Sequence, residues 1–358
     1  MGKVLIEKLL RSCPEVNRIF ILLRSKKNKE AAERLEDLKK VPVFDRLKIE
    51  QPQNLDKLVA VNGDVTALGL GLSAEDVERM SGVSVIYHSA ASVRFDDSLK
   101  EAILMNTRGT REVMLFAEKL SNLKVLVHVS TTYCNPDQKV VEEKVYPPKC
   151  DWRTAIKVAE TFDAQFLNAL TEKFTNYEPN TYTFTKGLAE QVVNDFRDRV
   201  PVVIYRPSIV ISSLEEPMPG WVDNFNGPIG LLIACAIGIL RTTNADPDTV
   251  SDFTPVDTSI KAMIVTSVKH GSEDNLKQIQ NVPVYNCSTS LQLKYTTGFI
   301  IQMGKLLSAE VPMDKMLWKP GGCITKCKYL NYMKVILFHI IPAYLVDTAF
   351  RLTGRKIL

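Results

Sequence analysis

The sequence predicts an α/β fold: a Rossmann-like, doubly wound parallel sheet with a smaller substrate-side region and a helical C-terminal segment. Three observations carry that prediction. Short apolar runs of strand length recur along most of the chain. They alternate with segments of helical periodicity, the pattern of parallel strands covered on both faces. Polar residues gather just after the runs, where open α/β sheets bind their ligands.

Residues 2–11 read as an amphipathic helix, and the apolar run from Arg18 to Leu23 as a buried strand. A charged helix over 29–40 leads to a strand ending in Val61-Asn-Gly-Asp-Val. An acidic helix near 74–80 precedes the strand Val83-Ser-Val-Ile-Tyr-His. A long helix over 97–120 then delivers the chain to Lys124-Val-Leu-Val-His-Val-Ser. The stretch 182–199 reads as helix. After Pro201-Val-Val-Ile-Tyr-Arg-Pro the rhythm loosens, and Pro217, Pro219, Gly220, Gly227 and Pro228 mark a loop-rich region. An apolar helix from Ile229 to Leu240, a helix after Asp252-Phe-Thr-Pro-Val-Asp and a late strand Val284-Tyr-Asn-Cys-Ser complete the pattern. Composition shifts near residue 290 towards Lys, Met and long apolar helices, which divides the chain into 1–290 and 291–358, with substrate-side elements mainly in 211–290.

With 358 residues the chain buries a large core, and a net charge of +4 on that length excludes nucleic acid as a partner class. Seven cysteines, without a disulfide-like rhythm, suit a reducing compartment. Cys323 and Cys327 lack a second Cys/His pair, so no metal site is expected. The start carries neither a signal peptide nor a myristoylation signal, since Ile6 stands where Ser or Thr is needed. Val335 to Phe350 is the nearest approach to a spanning segment, interrupted by His339, Pro342 and Asp347. Hydropathy alone favours a core helix there. Arg351, Arg355 and Lys356 follow it and keep a membrane-surface role open.

Tyr182 and Lys186 lie four apart on a helical stretch, so both project from one face. A phenol normally keeps its proton until about pH 10. An ammonium one turn away favours the phenolate and lowers that value, which suits proton transfer in carbonyl chemistry. Arg24, Asp64, Ser89, Ser130 and Thr131 fall at successive strand ends and together outline one crevice.

These residues resemble the extended short-chain dehydrogenase/reductase family, and more narrowly the alcohol-forming fatty acyl-CoA reductases. The pieces that match run in order: Ile19-Phe-Ile-Leu-Leu-Arg-Ser-Lys-Lys, Val61-Asn-Gly-Asp-Val, His88-Ser-Ala-Ala-Ser-Val-Arg-Phe, Asn106-Thr-Arg-Gly-Thr, His128-Val-Ser-Thr-Thr-Tyr-Cys-Asn, Tyr182-Thr-Phe-Thr-Lys and Tyr205-Arg-Pro-Ser-Ile-Val. His339-Ile-Ile-Pro-Ala-Tyr-Leu-Val-Asp is similar to the start of that family's C-terminal region.

The resemblance implies roles. Arg24, with Lys26 or Lys27, suits the 2′-phosphate of NADPH rather than the free hydroxyl of NADH. Asp64 is expected to accept from the adenine amine, with Val65 against the ring. Ser89, Ala90 and Ala91 let the cofactor backbone approach, and Ser130, Pro207 and Ser208 line its nicotinamide side. Thr131, or Thr132 one residue on, donates to the substrate carbonyl; Asn106 holds a water near the lysine. Lys186 both bonds the nicotinamide ribose and tunes Tyr182. Trp221, Asn224, Asn226 and Gly227 resemble a substrate-side loop. The implied reaction is two-step reduction of long-chain fatty acyl-CoA to the alcohol. The implied setting is a peroxisomal or endoplasmic-reticulum membrane surface, with a homodimer open.

One element is expected and not seen. A dinucleotide fold opens with a strand and a glycine-rich turn that seats the pyrophosphate on a helix N-terminus. Here Met1-Gly2-Lys3 runs straight into the helix, with Gly2 in the place of the motif's last glycine. On that basis a shortened chain is expected, ending early in the C-terminal region. Two alternatives stay open: another extended reductase acting on a sugar nucleotide or sterol, and an inactive truncated partner.

Overall fold

The computed structural model describes residues 1–26, 28–272, 280–314, 316 and 318–353. Lys27, Arg355 and Lys356, named among the expected basic contacts, lie outside the described residues. The chain forms two compact units. One comprises Met1–Trp221 with Thr254–Ser288; the other comprises Val222–Phe253 with Thr289–Leu358.

The first unit carries the parallel strands. Strand β1 (Ile19–Leu23) pairs in parallel with β2 (Leu58–Asn62), Ile19 opposite Leu58. A four-stranded sheet contains β3 (Val85–His88), β4 (Val125–Val129), β5 (Val202–Pro207) and the strand Val284–Cys287. Its order is β3-β4-β5-(Val284–Cys287), all parallel. The parallel strands described thus fall into two ladders, one of two strands and one of four. In open parallel sheets ligands bind at the carboxyl ends of the strands. Among the described residues no ladder joins β1 to β3.

Burial follows the order of the strands. Every residue of β4 and β5 is buried, β1 is half-buried throughout, and Val85 at the start of β3 is exposed. Side chains alternate between two apolar clusters, as the period of a strand demands. Leu126 and Ile204 face the helices Gly109–Ala117, Trp152–Thr161 and Thr181–Asp195. Val125, Val127, Val129, Val203 and Tyr205 face the other way, against helix α1 (Gly2–Ser12) and the helix Val256–Gly271. Helix α1 buries Val4, Leu5 and Leu10 there, the stripe its spacing predicts.

Two glycines are fixed by close approach. A Cβ on Gly63 falls 2.6 Å from Leu22 Cδ1 and from the Leu70 carbonyl, and one on Gly109 falls 3.0 Å from the Val65 carbonyl. The turn after β2 thus lies directly against the helix that follows β3. That helix is not uniform: residues Ile103–Arg108 widen into a π turn between Leu99–Ala102 and Gly109–Ala117. The helices Trp152–Thr161 and Ala164–Phe174, to which the sequence reading assigns nothing, start at the side-chain caps Asp151 and Asp163.

The second unit is built differently. It holds the helices Pro228–Ala236 and Thr297–Glu310, a helical run Lys328–Leu352, and two pairs of very short strands. Among its described residues only Gly238, Thr242 and Gly322 are buried. The run Lys328–Leu352 corrects the core expectation for Val335–Phe350. Its most apolar window has a mean hydropathy of 1.5 and no buried residue. Hydropathy records composition and not what the surface meets. Here the helix is held by a few polar bonds, Thr242 Oγ1 to Asn331 at 2.8 Å and the Arg241 amide donating to His339 Nε2 at 2.9 Å. It leaves Leu337, Phe338, Ile341, Tyr344 and Leu345 exposed. By length and composition it is able to cross a membrane.

Candidate active site

The helix Thr181–Asp195 starts at Asn180, whose side chain accepts from the Thr183 amide at 2.9 Å. That cap places Tyr182 and Lys186 in the first two turns, beside the carboxyl end of β4. Lys186 is buried, and its ammonium donates to the Val129 carbonyl, the last of β4, at 2.8 Å. An ammonium has three N–H donors; the other two have no partner among the described residues. The Tyr182 phenol has the Thr131 side chain as a neighbour that favours its ionised form, and its ring lies 5.9 Å from that of Phe95. Thr131 is itself buried, and its hydroxyl accepts from the Tyr133 amide at 3.2 Å.

The electrostatics differ from the expectation. Burial pushes the Tyr182 phenol up to about 12, with the Thr131 side chain only partly opposing it. Burial likewise pulls Lys186 down to about 8, against the charge of Glu190. The expected lowering of Tyr182 by Lys186 is therefore corrected. Spacing along a helix sets which groups are neighbours, but depth decides which form of each is favoured. In this state the ammonium serves a carbonyl, and the phenol is a firmly protonated acid.

The remaining predicted residues divide into those at the crevice and those turned away from it. Arg24 and Asp64 sit at the ends of β1 and β2, and Arg24 Nη1 lies 3.7 Å from Asp64 Oδ2 in a loose, partly exposed pair. Asp64 Oδ1 accepts from the Thr66 amide and hydroxyl, both at 2.8 Å. Ser89 and Ala91 are partly buried after β3, and Ala90 is exposed. Val65 belongs to the apolar cluster, beneath Gly109. Ser130 is buried, and its hydroxyl donates to Glu190 at 2.6 Å. Pro207 ends β5, and Ser208 exchanges a hydrogen bond with Thr254 at 2.7 Å. Asn106 lies in the π turn, its side chain saturated by the Ser92 backbone at 2.9 and 3.2 Å and by Thr185 at 3.0 Å. Gly2 is the first residue of α1, with open space around it. Asn224, Asn226 and Gly227 are exposed.

The sequence reading passed over four buried ionisable groups. Glu190 and Arg206 form a two-pronged ion pair at 2.7 Å, with almost no exposure of either side chain. The signal was available: Glu190 continues the spacing of Tyr182 and Lys186, and Arg206 stands in an otherwise apolar strand. His88 and His128 are register partners on β3 and β4, their rings 5.4 Å apart. Burial, then the charge of Lys186, pushes His88 down to about 3 and His128 well below its ordinary value. His88 bonds Thr110 at 3.0 Å, whereas neither ring nitrogen of His128 has a partner among the described residues.

Polar and charged side chains thus gather at the carboxyl ends of parallel strands, among them a buried ammonium with two donors left over. An NAD-binding family model described as male sterility protein matches residues 1–263. Fatty acyl-CoA reductase 1 of Mus musculus is 39% identical over 357 residues, covering 99% of this chain and 68% of its own. The chain belongs to the fatty acyl-CoA reductase family. It is a reductase of the extended short-chain dehydrogenase/reductase superfamily with a nicotinamide cofactor. Among solved structures, the terminal R domain of the myxalamid PKS-NRPS pathway superposes with a TM-score of 0.62 at 20% identity, covering 90% of this chain and 68% of that one. The UDP-glucuronic acid 4-epimerase of Bacillus cereus, in complex with NAD, gives 0.57 at 15%, covering 91% and 84%. Both likenesses describe the fold of this fatty acyl-CoA reductase.

Proposed function

We propose that this fatty acyl-CoA reductase converts long-chain fatty acyl-CoA to the alcohol with NADPH, and that Tyr182, Thr131 and Lys186 are its catalytic residues. The observation that carries the reading is the buried Lys186, bonded to the last carbonyl of β4 one helical turn from Tyr182 and beside the strand end that carries Thr131. Bound NADPH supplies the hydride for each of two successive reductions. Thr131 and Tyr182 present two hydroxyls to one acceptor, and so hold the oxygen of the thioester carbonyl as it gains negative charge. Loss of CoA thiolate leaves an aldehyde held by the same pair. In the second reduction Tyr182 gives its proton to the alkoxide, a task suited to a phenol that burial keeps protonated. Lys186 orients the ribose with its two remaining donors.

Arg24 is the proposed partner of the 2′-phosphate, supported by its half-exposed, loosely paired guanidinium. Asp64 is the proposed acceptor for the adenine amine. Ser89, Ala90 and Ala91 make room for the diphosphate, and the π turn at Asn106 supports the lysine side of the site. The exposed run Lys328–Leu352 supports a lipid-facing surface, and so does the lack of a buried apolar core among the described residues of its unit. A peroxisomal or endoplasmic-reticulum membrane is the setting proposed from the family resemblance. Replacing Tyr182 with Phe tests the central assignment. Acyl-CoA turnover is expected to fall by about 10³-fold or more, with NADPH binding, followed by cofactor fluorescence, nearly intact. Turnover within tenfold of the parent chain refutes it.

A further inference from the structure

We propose that Glu190, locked to Arg206, is a positioning residue for this reaction: it keeps Lys186 cationic and fixes the loop that carries Thr131. The proposal rests on the roles given to Tyr182, Lys186 and Thr131 above. Tyr182, Lys186 and Glu190 form one stripe of the Thr181–Asp195 helix, each a turn from the next. Glu190 lies at the buried end of that stripe and ties three parts of the chain together. Its Oε1 accepts from Ser130 Oγ at 2.6 Å and from Cys134 Sγ at 3.2 Å, the two residues that bracket Thr131 and its turn. Both of its oxygens accept from Arg206, Nε and Nη2, each at 2.7 Å.

Arg206 is in turn satisfied by the Glu142 carbonyl at 3.0 Å and the Lys144 carbonyl at 2.8 Å. A buried ion pair of this kind costs desolvation that its attraction barely offsets, so it contributes little net stability by itself. Its placement one turn from Lys186 is what requires a reason.

The groups facing Lys186 supply it. On its own helix these are Tyr182 and Glu190; from β3 and β4 they are His88 and His128; and from the loop, Cys134. Burial keeps the two imidazoles uncharged, pushes the Tyr182 phenol up to about 12 and holds the Cys134 thiol well above its ordinary value. Glu190 is thus the negative charge that opposes the desolvation of Lys186. Burial also works against charge on Arg206, and the Glu190 hydrogen bonds overcome it. The guanidinium therefore anchors the carboxylate and keeps Ser130 in place.

The test is Glu190→Gln in the full chain. The Lys186 titration is read by NMR of labelled lysine, assigned by the signal lost in Lys186→Met. Because Glu190→Gln leaves Arg206 charged and unpaired, a second variant, Glu190→Gln with Arg206→Met, removes both charges. In folded Glu190→Gln the Lys186 midpoint is expected to fall by about one to two pH units, by less in the double variant because a cation is lost with the anion, and the pH profile of kcat to move with it. Ser130→Ala, which keeps the charge, is expected to lower kcat without moving the Lys186 midpoint. A midpoint that does not fall in any folded variant lacking Glu190 overturns the proposal. So does a moved midpoint with an unmoved kcat profile. The NMR midpoint needs no turnover, so failure of this proposal is distinguishable from failure of the Tyr182 assignment, which the Tyr182→Phe assay reads separately.

Discussion

Replacing Lys186 with Met should stabilise the fold while removing catalysis. Burial moves the amine from its usual 10.5 to about 8. A shift of that size corresponds to about 3 kcal/mol between folded and unfolded states. The folded value is depressed, so the charged amine is the disfavoured form in the fold. The penalty is complete below about pH 8 and fades as pH rises from about 8 to about 10.5. Met keeps the apolar stem and gives up the hydrogen bond to the Val129 carbonyl, worth about 1 kcal/mol net. The expected gain is therefore about 2 kcal/mol at pH 7, shrinking towards zero and then reversing near pH 10. Burial also raises Cys134 and Tyr182, whose titrations act with the opposite sign at alkaline pH. The informative quantity is accordingly the difference between the two proteins. Urea unfolding of the sheet-bearing unit at pH 7 and pH 10 supplies it. A Lys186→Met chain less stable than its parent at pH 7, or a difference that does not change with pH, refutes the reasoning.

Two further expectations concern the ends of the site. Arg24→Ala should weaken NADPH binding by about ten- to a hundredfold, the worth of a charge-assisted bond to phosphate, and leave NADH binding almost unchanged; equal losses in fluorescence titrations with both cofactors rule out the 2′-phosphate assignment. Glu substitutions at the exposed Leu337 and Leu345 should abolish flotation with phospholipid vesicles while leaving far-UV circular dichroism unchanged, and undiminished flotation excludes this helix as the lipid-facing surface.

The sheet was legible because a buried parallel strand has to be written as an apolar run, and β1, β4 and the strand Val284–Cys287 each are. Tyr182 and Lys186 were legible as a spacing on one helix. The directions of their pKa shifts were not, because depth comes from elements distant in sequence, here β4 and the loop after it. Glu190 and Arg206 were visible as charges among apolar neighbours, yet nothing local pairs a helix residue with a strand residue. For Val335–Phe350 composition misled, since an apolar helix reads alike whether protein or solvent covers it. The second unit joins Val222–Phe253 to residues beyond Thr289, an association no sequence window contains.

The interruption between β1 and β3 also bears on how the two ends of the crevice communicate. Arg24 and Asp64 stand on one hydrogen-bonded network, and Thr131, Lys186 and Tyr182 stand on or beside the other. The two networks share apolar clusters, Leu22 packing against one and Leu58 belonging to the other. Packing of that kind is non-directional, whereas a strand ladder transmits register. A displacement of β1 thus reaches β4 as a diffuse pressure and not as a shift in alignment. The position of the Arg24–Asp64 pair and that of Thr131, Lys186 and Tyr182 are therefore mechanically separable properties of this fold.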